Sequence, residues 1–340
     1  MRLLNIFLIV FLLAVQTQCY IKRVGVNYAL TGYKSRQSLR TVAISLPTAS
    51  TIPSQPQQQQ QSINLERSLS STPILERLTI RVKNKVLNAW GCFFGAVVYS
   101  VTAFLLPFIA ITAIYCDLIG ENKRRKAVDR WINVWSWLCL RLSGGEVFLY
   151  GAQNLPTDPN EPVIYVPNHT SFLDIFALSG SISRPFKYFS KSTILKIPLV
   201  GWGMQLAQHI FLDRHNPQSA IDSVSQCITK IKDGNSIVVF AEGTRSLDGR
   251  LGSFKNGAFR IADKTGARIV PVSIGNLFKH MPPGSIGPLS RIKNSYVMIH
   301  PPIDPKNKSV KELKALCYEA INSGLPPYQQ SNFSSLESKE

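Results

Sequence analysis

The sequence predicts an α/β fold with a largely parallel or mixed central sheet flanked by helices, preceded by a membrane-associated helical segment. Two observations support this prediction. From Glu146 onward, short apolar runs alternate with longer stretches of helical periodicity, which is typical of a largely parallel sheet. Before that point, residues 89–116 are strongly apolar and contain no charged side chain. At a rise of about 1.5 Å per residue, such a helix is long enough to cross a bilayer core of about 30 Å.

The N-terminal region has the composition of targeting sequence. Residues 1–19 combine Arg2 with an apolar stretch and a polar end, which predicts a signal peptide; as a membrane anchor this stretch is too short. Residues 20–72 are rich in hydroxyl and Gln side chains and contain no acidic residue before Glu66, which predicts a transit peptide or a disordered linker. The two together favour a plastid reached through the secretory pathway, with a secreted or endoplasmic reticulum protein as the alternative.

Residues 85–142 are predicted to be membrane-anchoring helices. Pro107 permits a kink, so the apolar segment either spans the bilayer or re-enters one leaflet. The basic cluster 123–126 is expected to face anionic head groups. The following stretch, 128–142, is amphipathic and carries three tryptophans, which suits either a membrane interface or a helix facing the core.

Residues 146–325 are predicted to form one domain, followed by a loose polar tail at 326–340. Strands are expected at 147–150, 163–167, 187–189, 209–213, 236–240, 268–274 and 296–300. Helices are expected at 171–182, 192–207, 217–232, 255–265 and 309–322.

Charge and cysteine usage narrow the class of protein. A net charge of +18 implies an acidic partner: an anionic lipid, a phosphorylated substrate or a nucleic acid. Nucleic acid is the weaker interpretation, because the chain has no zinc-ligand spacing, RNA-binding aromatic signature or helix-turn-helix pattern. The six cysteines are scattered, which favours free thiols in a reducing compartment over a disulfide framework.

The first candidate for chemistry is the pair His169 and Asp174, five positions apart and directly after a predicted strand. Five residues of a regular helix would place the two side chains on different faces. They meet only if His169 lies in the turn before the helix and Asp174 in the first turns. Asn168 or Thr170 is then expected to hold the turn and cap the helix. In that geometry the carboxylate orients the imidazole, and the other ring nitrogen is a general base for a hydroxyl.

A second constellation follows the predicted strand at 236–240. Gly243 allows a tight turn whose backbone N–H groups can face an anion. Arg245 offers a planar fork of donors for phosphate, and Glu242 is expected to pair with it. Arg214 stands at the end of another predicted strand, and 270–274 is an apolar strand with little chemistry.

These blocks, in this order, resemble the PlsC-like glycerolipid acyltransferase family, specifically the 1-acyl-sn-glycerol-3-phosphate (lysophosphatidic acid) acyltransferases. The resemblance covers roughly residues 85–304. The matching blocks are Asn168-His169 through Asp174 (NHxxxxD), Phe211 to Arg214, Glu242-Gly243-Thr244-Arg245 (EGTR), Val270-Pro271, and Phe254 to Phe259 (FKxGAF). Ala241 departs from the proline usual before the glutamate, which puts the stiffness of that turn in doubt. The segment 180–202 is most similar to the plastid-type branch.

The resemblance implies an enzyme of phospholipid biosynthesis whose catalytic domain is 146–325. His169 would deprotonate the sn-2 hydroxyl of lysophosphatidic acid, and Asp174 would orient it, with acyl-ACP or acyl-CoA as the co-substrate and phosphatidic acid as the product. The substrate phosphate would be bound by Arg214, Arg245, Glu242, Gly243, Thr244 and Lys191, and Asn168 and Pro271 would support the motifs. Ser171 would not be a nucleophile, since the chain has no GxSxG elbow.

The same reading expects no metal, no cofactor and no nucleic acid, and places the protein with membrane lipids. A plastid membrane is favoured, with the endoplasmic reticulum membrane as the alternative. Three alternatives stay open. The acceptor could be glycerol-3-phosphate or another lysophospholipid. The protein could instead be a non-catalytic binder of anionic lipid, or a hydrolase. The donor and the preferred acyl length have no readable motif.

Overall fold

The structure is a computed structural model that describes residues 79–82, 85–213 and 217–331. The predicted signal peptide and transit segment, 1–19 and 20–72, lie outside the described residues. Within them, the expected alternation of strands and helices is confirmed.

Nine strands and eight α-helices are found in the described residues. The strands are β1 (Thr79–Val82), β2 (Lys85–Asn88), β3 (Val147–Tyr150), β4 (Ile164–Pro167), β5 (Phe186–Lys191), β6 (Ile210–Leu212), β7 (Ser236–Val238), β8 (Ile269–Gly275) and β9 (Ser295–Ile299). The helices are α1 (Ala89–Leu118), α2 (Lys126–Leu142), α3 (Leu173–Ser181), α4 (Val200–Leu206), α5 (Pro217–Lys232), α6 (Gly257–Thr265), α7 (Leu277–His280) and α8 (Val310–Ser323). Short 3₁₀ turns occupy Ala152–Asn154 and Ser192–Lys196.

The central sheet is mixed and has seven strands in the order β3-β9-β8-β4-β7-β5-β6, while β1 and β2 form a separate pair. Five adjacent strands, β8, β4, β7, β5 and β6, run parallel to one another. Strand β9 is antiparallel to β8, and β3 runs parallel to β9. The carboxyl ends of the five parallel strands therefore share one edge, where an α/β sheet presents its functional loops.

Helices cover both faces of the sheet. One apolar core joins β4 and β7 to α5, α6 and α8, through residues such as Ile164, Cys227, Phe259 and Cys317. Helices α2 and α3 pack together, and α1 packs on α2. Every residue of β4 and β8 is buried, as expected for central strands covered on both sides.

The helix predicted at 192–207 is broken into a 3₁₀ turn and the shorter helix α4. Pro198 explains the break. A residue before proline is pushed out of the helical region, and Ile197 is extended with φ −81° and ψ 112°.

Helix α1 is a long apolar helix, as predicted, and by length and composition it is a candidate membrane span. One of its faces is buried against α2. The indole N–H of Trp131 donates to the Thr112 hydroxyl at 2.9 Å, and that of Trp135 donates to the Thr102 hydroxyl at 2.8 Å. Both indoles are buried, so this face of α2 faces the core. The opposite face of α1 exposes large apolar side chains, including Phe104, Ile111, Ile114 and Leu118.

The basic cluster 123–126 is partly used to hold the turn between α1 and α2. The Arg125 guanidinium bonds the Asp117 carboxylate at 2.7 Å and the Leu206 carbonyl at 2.7 Å. Arg124 donates to the carbonyl of Asp233, at the end of α5. These two arginines therefore fasten the helical segment to the domain, a role that the head-group interpretation did not include.

A buried ion pair joins α2 to the sheet. The Lys187 ammonium on β5 lies 2.8 Å from the Asp129 carboxylate on α2 and also donates to the Ala207 carbonyl. Both side chains are almost fully buried, at 0% and 2% exposure.

The predicted loose tail differs from the structure over its first residues. Residues 326–331 pack against the domain, and Gln329 is fully buried. Residues 332–340 lie outside the described residues.

The cysteines of the described part of the chain are free thiols. Four of them are buried, as expected, but Cys92 is exposed. Cys19 lies outside the described residues.

Candidate active site

The two sequence constellations meet at the carboxyl edge of the sheet. Strand β4 ends at Pro167, and β7, its hydrogen-bonded neighbour, ends at Val238. The loop 168–172 leaves the first strand and the loop 239–256 leaves the second. Adjacent parallel strands thus bring the histidine block and the EGTR block side by side.

His169 and Asp174 form the predicted pair. Helix α3 begins at Leu173, so Asp174 lies in its first turn while His169 lies in the preceding turn. The His169 Nδ1 and Asp174 Oδ2 atoms are 2.9 Å apart. The buried carboxylate holds Nδ1 as the donor, which leaves Nε2 as the basic nitrogen. The His169 side chain keeps 18% exposure.

Asp174, rather than Asn168 or Thr170, holds the turn before helix α3. Its Oδ2 atom also accepts hydrogen bonds from the backbone N–H groups of Thr170 at 2.8 Å and Ser171 at 2.9 Å. These two N–H groups precede helix α3, whose first N–H, that of Leu173, donates to the Ser171 hydroxyl instead. One oxygen therefore fixes both the backbone of the turn and the imidazole.

Three further contacts position His169. Its ring stacks on Phe240, with ring centroids 3.9 Å apart and planes at 26°. Its backbone N–H donates to Glu242 Oε1 at 2.7 Å, and its carbonyl accepts from the Ser246 N–H at 2.8 Å. The loop after β7 thus holds the His169 turn, residues 168–172, through both the N–H and the carbonyl of His169.

Glu242 has a different role from the predicted ion pair with Arg245. Its carboxylate accepts from the N–H groups of His169 and Gly252, the latter at 3.0 Å. No ion pair between Glu242 and Arg245 occurs in the described part of the chain. Burial raises the pKa of Glu242 to about 7, against the lowering effect of the two N–H bonds.

Asn168 and Pro271 connect the site to β8. The Asn168 side chain donates to the Ile274 carbonyl at 3.1 Å and accepts from the Ile274 N–H at 2.7 Å. Pro271 lies opposite Val166 in the β4–β8 register. Asn168 therefore ties the His169 turn to strand β8 instead of capping the helix.

Of the predicted phosphate-binding residues, those that the structure describes lie along the same edge. Gly243 has φ +74°, the left-handed conformation that favours glycine, and Thr244 is exposed while Arg245 is half-buried. Lys191 is exposed at the end of β5. Since β7 separates β5 from β4, the backbone of Lys191 lies about 10 Å from the end of β4, measured across the sheet. Arg214 lies outside the described residues.

Two contacts were missed by reasoning from the sequence. The Lys255 side chain lies across Gly243, so a Cβ there would come within 3.0 Å of Nζ. Gly252 approaches Glu242 closely, and a Cβ there would lie 2.9 Å from Oε2. Lys255 lies in the FKxGAF segment and Gly252 lies just before it, so that segment was the sequence signal that could have indicated these contacts.

Ser171 is occupied by the fold. Its hydroxyl donates to the Met281 carbonyl at 2.8 Å and accepts from the Leu173 N–H at 3.2 Å, and the side chain is buried. These contacts agree with the prediction that Ser171 is not a nucleophile.

His209, away from this edge, is a structural histidine. Its Nδ1 accepts from the Tyr188 N–H at 3.2 Å. Burial, together with the positive charges of Lys187 and Lys230, lowers the pKa of His209 to about 3. The ring is therefore neutral at physiological pH.

The fold and the site define an α/β protein in which a histidine paired with a buried carboxylate stands at the carboxyl edge of the sheet, next to an arginine-bearing loop. A protein-family model described as Acyltransferase matches residues 146–275. The chain belongs to the family of 1-acyl-sn-glycerol-3-phosphate acyltransferases, as its relatives show.

Two relatives and one solved structure carry this assignment. A 1-acyl-sn-glycerol-3-phosphate acyltransferase of Chlamydomonas reinhardtii is 34% identical over 236 residues, covering 68% of this chain and 70% of the relative. The chloroplastic enzyme of that name from Arabidopsis thaliana is 39% identical over 230 residues, covering 68% of this chain but only 62% of the relative. The crystal structure of the 1-acyl-sn-glycerophosphate acyltransferase PlsC from Thermotoga maritima superposes with a TM-score of 0.58 at 27% identity, covering 69% of this chain and 94% of that one.

Proposed function

We propose that this protein transfers an acyl group from an acyl thioester to the sn-2 hydroxyl of 1-acyl-sn-glycerol-3-phosphate, giving phosphatidic acid. The observation that carries the proposal is the His169–Asp174 pair, with Nδ1 held by the carboxylate and Nε2 left as the base, next to the EGTR loop. The names of the relatives supply the acceptor.

In the proposed reaction, Nε2 of His169 takes the hydroxyl proton as the oxygen attacks the thioester carbonyl. The tetrahedral intermediate then collapses, the C–S bond breaks, and the imidazolium returns the proton to the leaving thiolate. Asp174 stabilises the imidazolium between these steps. General-base catalysis of this kind contributes roughly 10²–10⁴-fold.

The acceptor phosphate is proposed to bind beside this base. Arg245, Lys191 and Arg214 are the predicted cations, with Thr244 and the backbone around Gly243 as neutral donors. The path of Lys255 across Gly243 adds a fourth cation to this group. Glu242 is assigned to the support of the His169 turn, because its two oxygens accept backbone N–H bonds.

The reaction is proposed to need no metal and no cofactor. A histidine supplies the base and arginine supplies charge for the phosphate, so the acyl thioester, acyl-ACP or acyl-CoA, enters only as a co-substrate. Partners are then lysophosphatidic acid, the thioester and membrane lipids. A plastid membrane is the proposed location, since relatives of this chain are named chloroplastic, with the endoplasmic reticulum membrane as the alternative.

An assay that crosses acceptors with donors tests this function. Purified protein in mixed micelles is given 1-acyl-sn-glycerol-3-phosphate, glycerol-3-phosphate or a lysophospholipid with an uncharged head-group terminus, each with acyl-ACP and with acyl-CoA. We expect phosphatidic acid from the first acceptor with at least one donor. Preferential acylation of either other acceptor would contradict the proposal, as would release of free fatty acid without any acceptor, which is hydrolysis.

A further inference from the structure

The segment after α8 contacts the two turns that support the catalytic histidine. This C-terminal segment, residues 326–331, contains Gln329, whose side chain is fully buried. Gln329 bonds the loop after β7 with its backbone and the turn after β8 with its side chain. Leu251, in the loop after β7, belongs to the apolar core, so the backbone of Gln329 bonds a packed part of that loop.

The first path leads from Gln329 to the peptide of His169. The Leu251 N–H donates to the Gln329 carbonyl at 2.8 Å. The next residue, Gly252, donates its N–H to one oxygen of Glu242, and the other oxygen accepts from the His169 N–H. The dipeptide Leu251–Gly252 is therefore bonded to Gln329 through one N–H group and to Glu242 through the next.

The second path leads from the Gln329 side chain to Asn168. Its Oε1 accepts from the Asn276 N–H at 2.7 Å. Asn276 follows the last residue of β8 in a left-handed conformation, φ +70°. Two positions earlier, Ile274 exchanges two hydrogen bonds with the Asn168 side chain. The Tyr328 hydroxyl adds a 3.0 Å bond to the Asn276 side chain.

We propose that the Gln329 side chain positions His169 by acting through Asn276 and Asn168, while the Gln329 backbone carbonyl supports the loop that holds Glu242. The proposal rests on the proposed function, in which His169 is the base. A base must be held in register with the reacting hydroxyl, and a misplacement of about 1 Å can lower the rate about 10²-fold. Two paths that converge on adjacent residues, Asn168 and His169, suit that requirement.

The test compares Gln329→Met with Gln330→Met in the full-length protein. Both substitutions remove an amide of the same size from neighbouring positions. The Gln330 side-chain amide donates to the Leu325 carbonyl, five residues earlier, and does not reach either loop, so Gln330→Met serves as the matched control. We expect kcat to fall about tenfold or more in Gln329→Met, with the KM for 1-acyl-sn-glycerol-3-phosphate within twofold. Gln330→Met should stay within twofold of the wild type in both constants.

A second variant covers the case in which Gln329→Met does not fold. Tyr328→Phe removes one hydroxyl from the same turn and leaves the ring in place. We expect a smaller loss of kcat, about two- to fivefold, again with an unchanged KM. Wild-type kcat in every folded variant, or equal losses at 329 and 330, would overturn the proposal.

Hydrogen–deuterium exchange separates this proposal from the proposed function, because it needs no turnover. We expect peptides covering 168–172 to exchange at least about threefold faster in Gln329→Met and at the wild-type rate in Gln330→Met. Unchanged exchange would overturn the positioning role even in an active enzyme. Faster exchange in a protein inactive on every acceptor would support the coupling and refute the proposed function instead.

Discussion

At the scale of single residues, His169 is held through three of its own atoms. Its Nδ1 is bonded to Asp174, its backbone N–H to Glu242 and its carbonyl to the Ser246 N–H. Phe240 covers one face of the ring. Such preorganisation leaves only Nε2 for the substrate and keeps the imidazole from rotating away from it.

The first residue-scale prediction concerns the carboxylate that orients the base. Asp174→Asn keeps a side-chain acceptor for the turn but offers an N–H to the imidazole, which favours the wrong tautomer. We expect kcat to fall about 10²–10⁴-fold while the KM for the acceptor stays within twofold. Steady-state kinetics with a folded variant measure this; a loss of less than about threefold would remove Asp174 from its role.

The second residue-scale prediction concerns the pH dependence of stability at Glu242. Its ordinary pKa of 4.5 is raised to about 7 by burial. A carboxyl whose pKa is raised in the folded state binds a proton more tightly there, so its stabilising effect is present below about pH 4.5 and is lost as the pH rises to about 7. The free energy of unfolding of wild type relative to Glu242→Gln should therefore fall by about 3 kcal/mol across this range.

Thermal unfolding of the two proteins between pH 4.5 and 8 measures that difference. The stability of the wild type relative to Glu242→Gln should decrease as the pH rises. A difference that grows with pH would mean that the two N–H bonds outweigh burial and that the pKa is lowered instead.

Part of the site geometry follows from the sequence and part does not. The condition for His169 to meet Asp174 followed from helix geometry alone, and it is confirmed. The partner of Glu242 was predicted wrongly, because a nearby arginine is visible in a sequence whereas the N–H of Gly252 is not. Asp174 holds the turn because its carboxylate reaches two backbone N–H groups as well as the imidazole, while the Ser171 hydroxyl accepts from the first helical N–H.

At the scale of elements, the helical segment and the sheet are joined by the Lys187–Asp129 pair. Lys187→Met leaves the buried Asp129 carboxylate without its cation, which costs about 3–5 kcal/mol. We expect the double variant Lys187→Met, Asp129→Leu to recover most of that loss, because it removes both charges. Arg291→Met, at the exposed pair with Glu146, should cost less than about 1 kcal/mol and serves as the control.

Thermal unfolding of the four proteins checks this prediction. If Lys187→Met is no less stable than Arg291→Met, the ion pair does not hold α2 on β5.

Elements were predicted well where periodicity is local and poorly where packing decides. The seven strands of the central sheet lie within two residues of their expected bounds. The helix expected at 192–207 is broken at Pro198, because proline excludes the preceding Ile197 from the helical region. The contacts of 326–331 were not predictable, since they depend on turns more than fifty residues away, at Leu251 and Asn276.

At the scale of the whole molecule, the exposed face of α1 is the main surface without a partner in the described part of the chain. Phe104, Ile111 and Leu118 are 63%, 54% and 80% exposed, and they repeat at intervals that place them on one side of the helix. The other side packs on α2 through two tryptophan hydrogen bonds. An apolar face of this kind fits a lipid surface.

We therefore expect that replacing Phe104, Ile111 and Leu118 together by serine weakens membrane association. Burial of each side chain contributes about 1.5–3 kcal/mol, so partitioning should fall at least about 10³-fold. Flotation with vesicles containing anionic lipid measures this. Ile221→Ser on α5, at a residue that is 61% exposed, is the control and should float like the wild type. Equal flotation of the triple variant would show that α1 does not attach the protein.

The rate of phosphatidic acid formation by His169→Ala decides whether His169 is the base for acylation of the lysophosphatidate hydroxyl. The reaction is measured with the full-length protein in micelles, using the donor that the wild type accepts. We expect kcat to fall at least about 10²-fold, with the fold unchanged by circular dichroism and thermal unfolding. A folded His169→Ala protein that forms phosphatidic acid at the wild-type rate would contradict it.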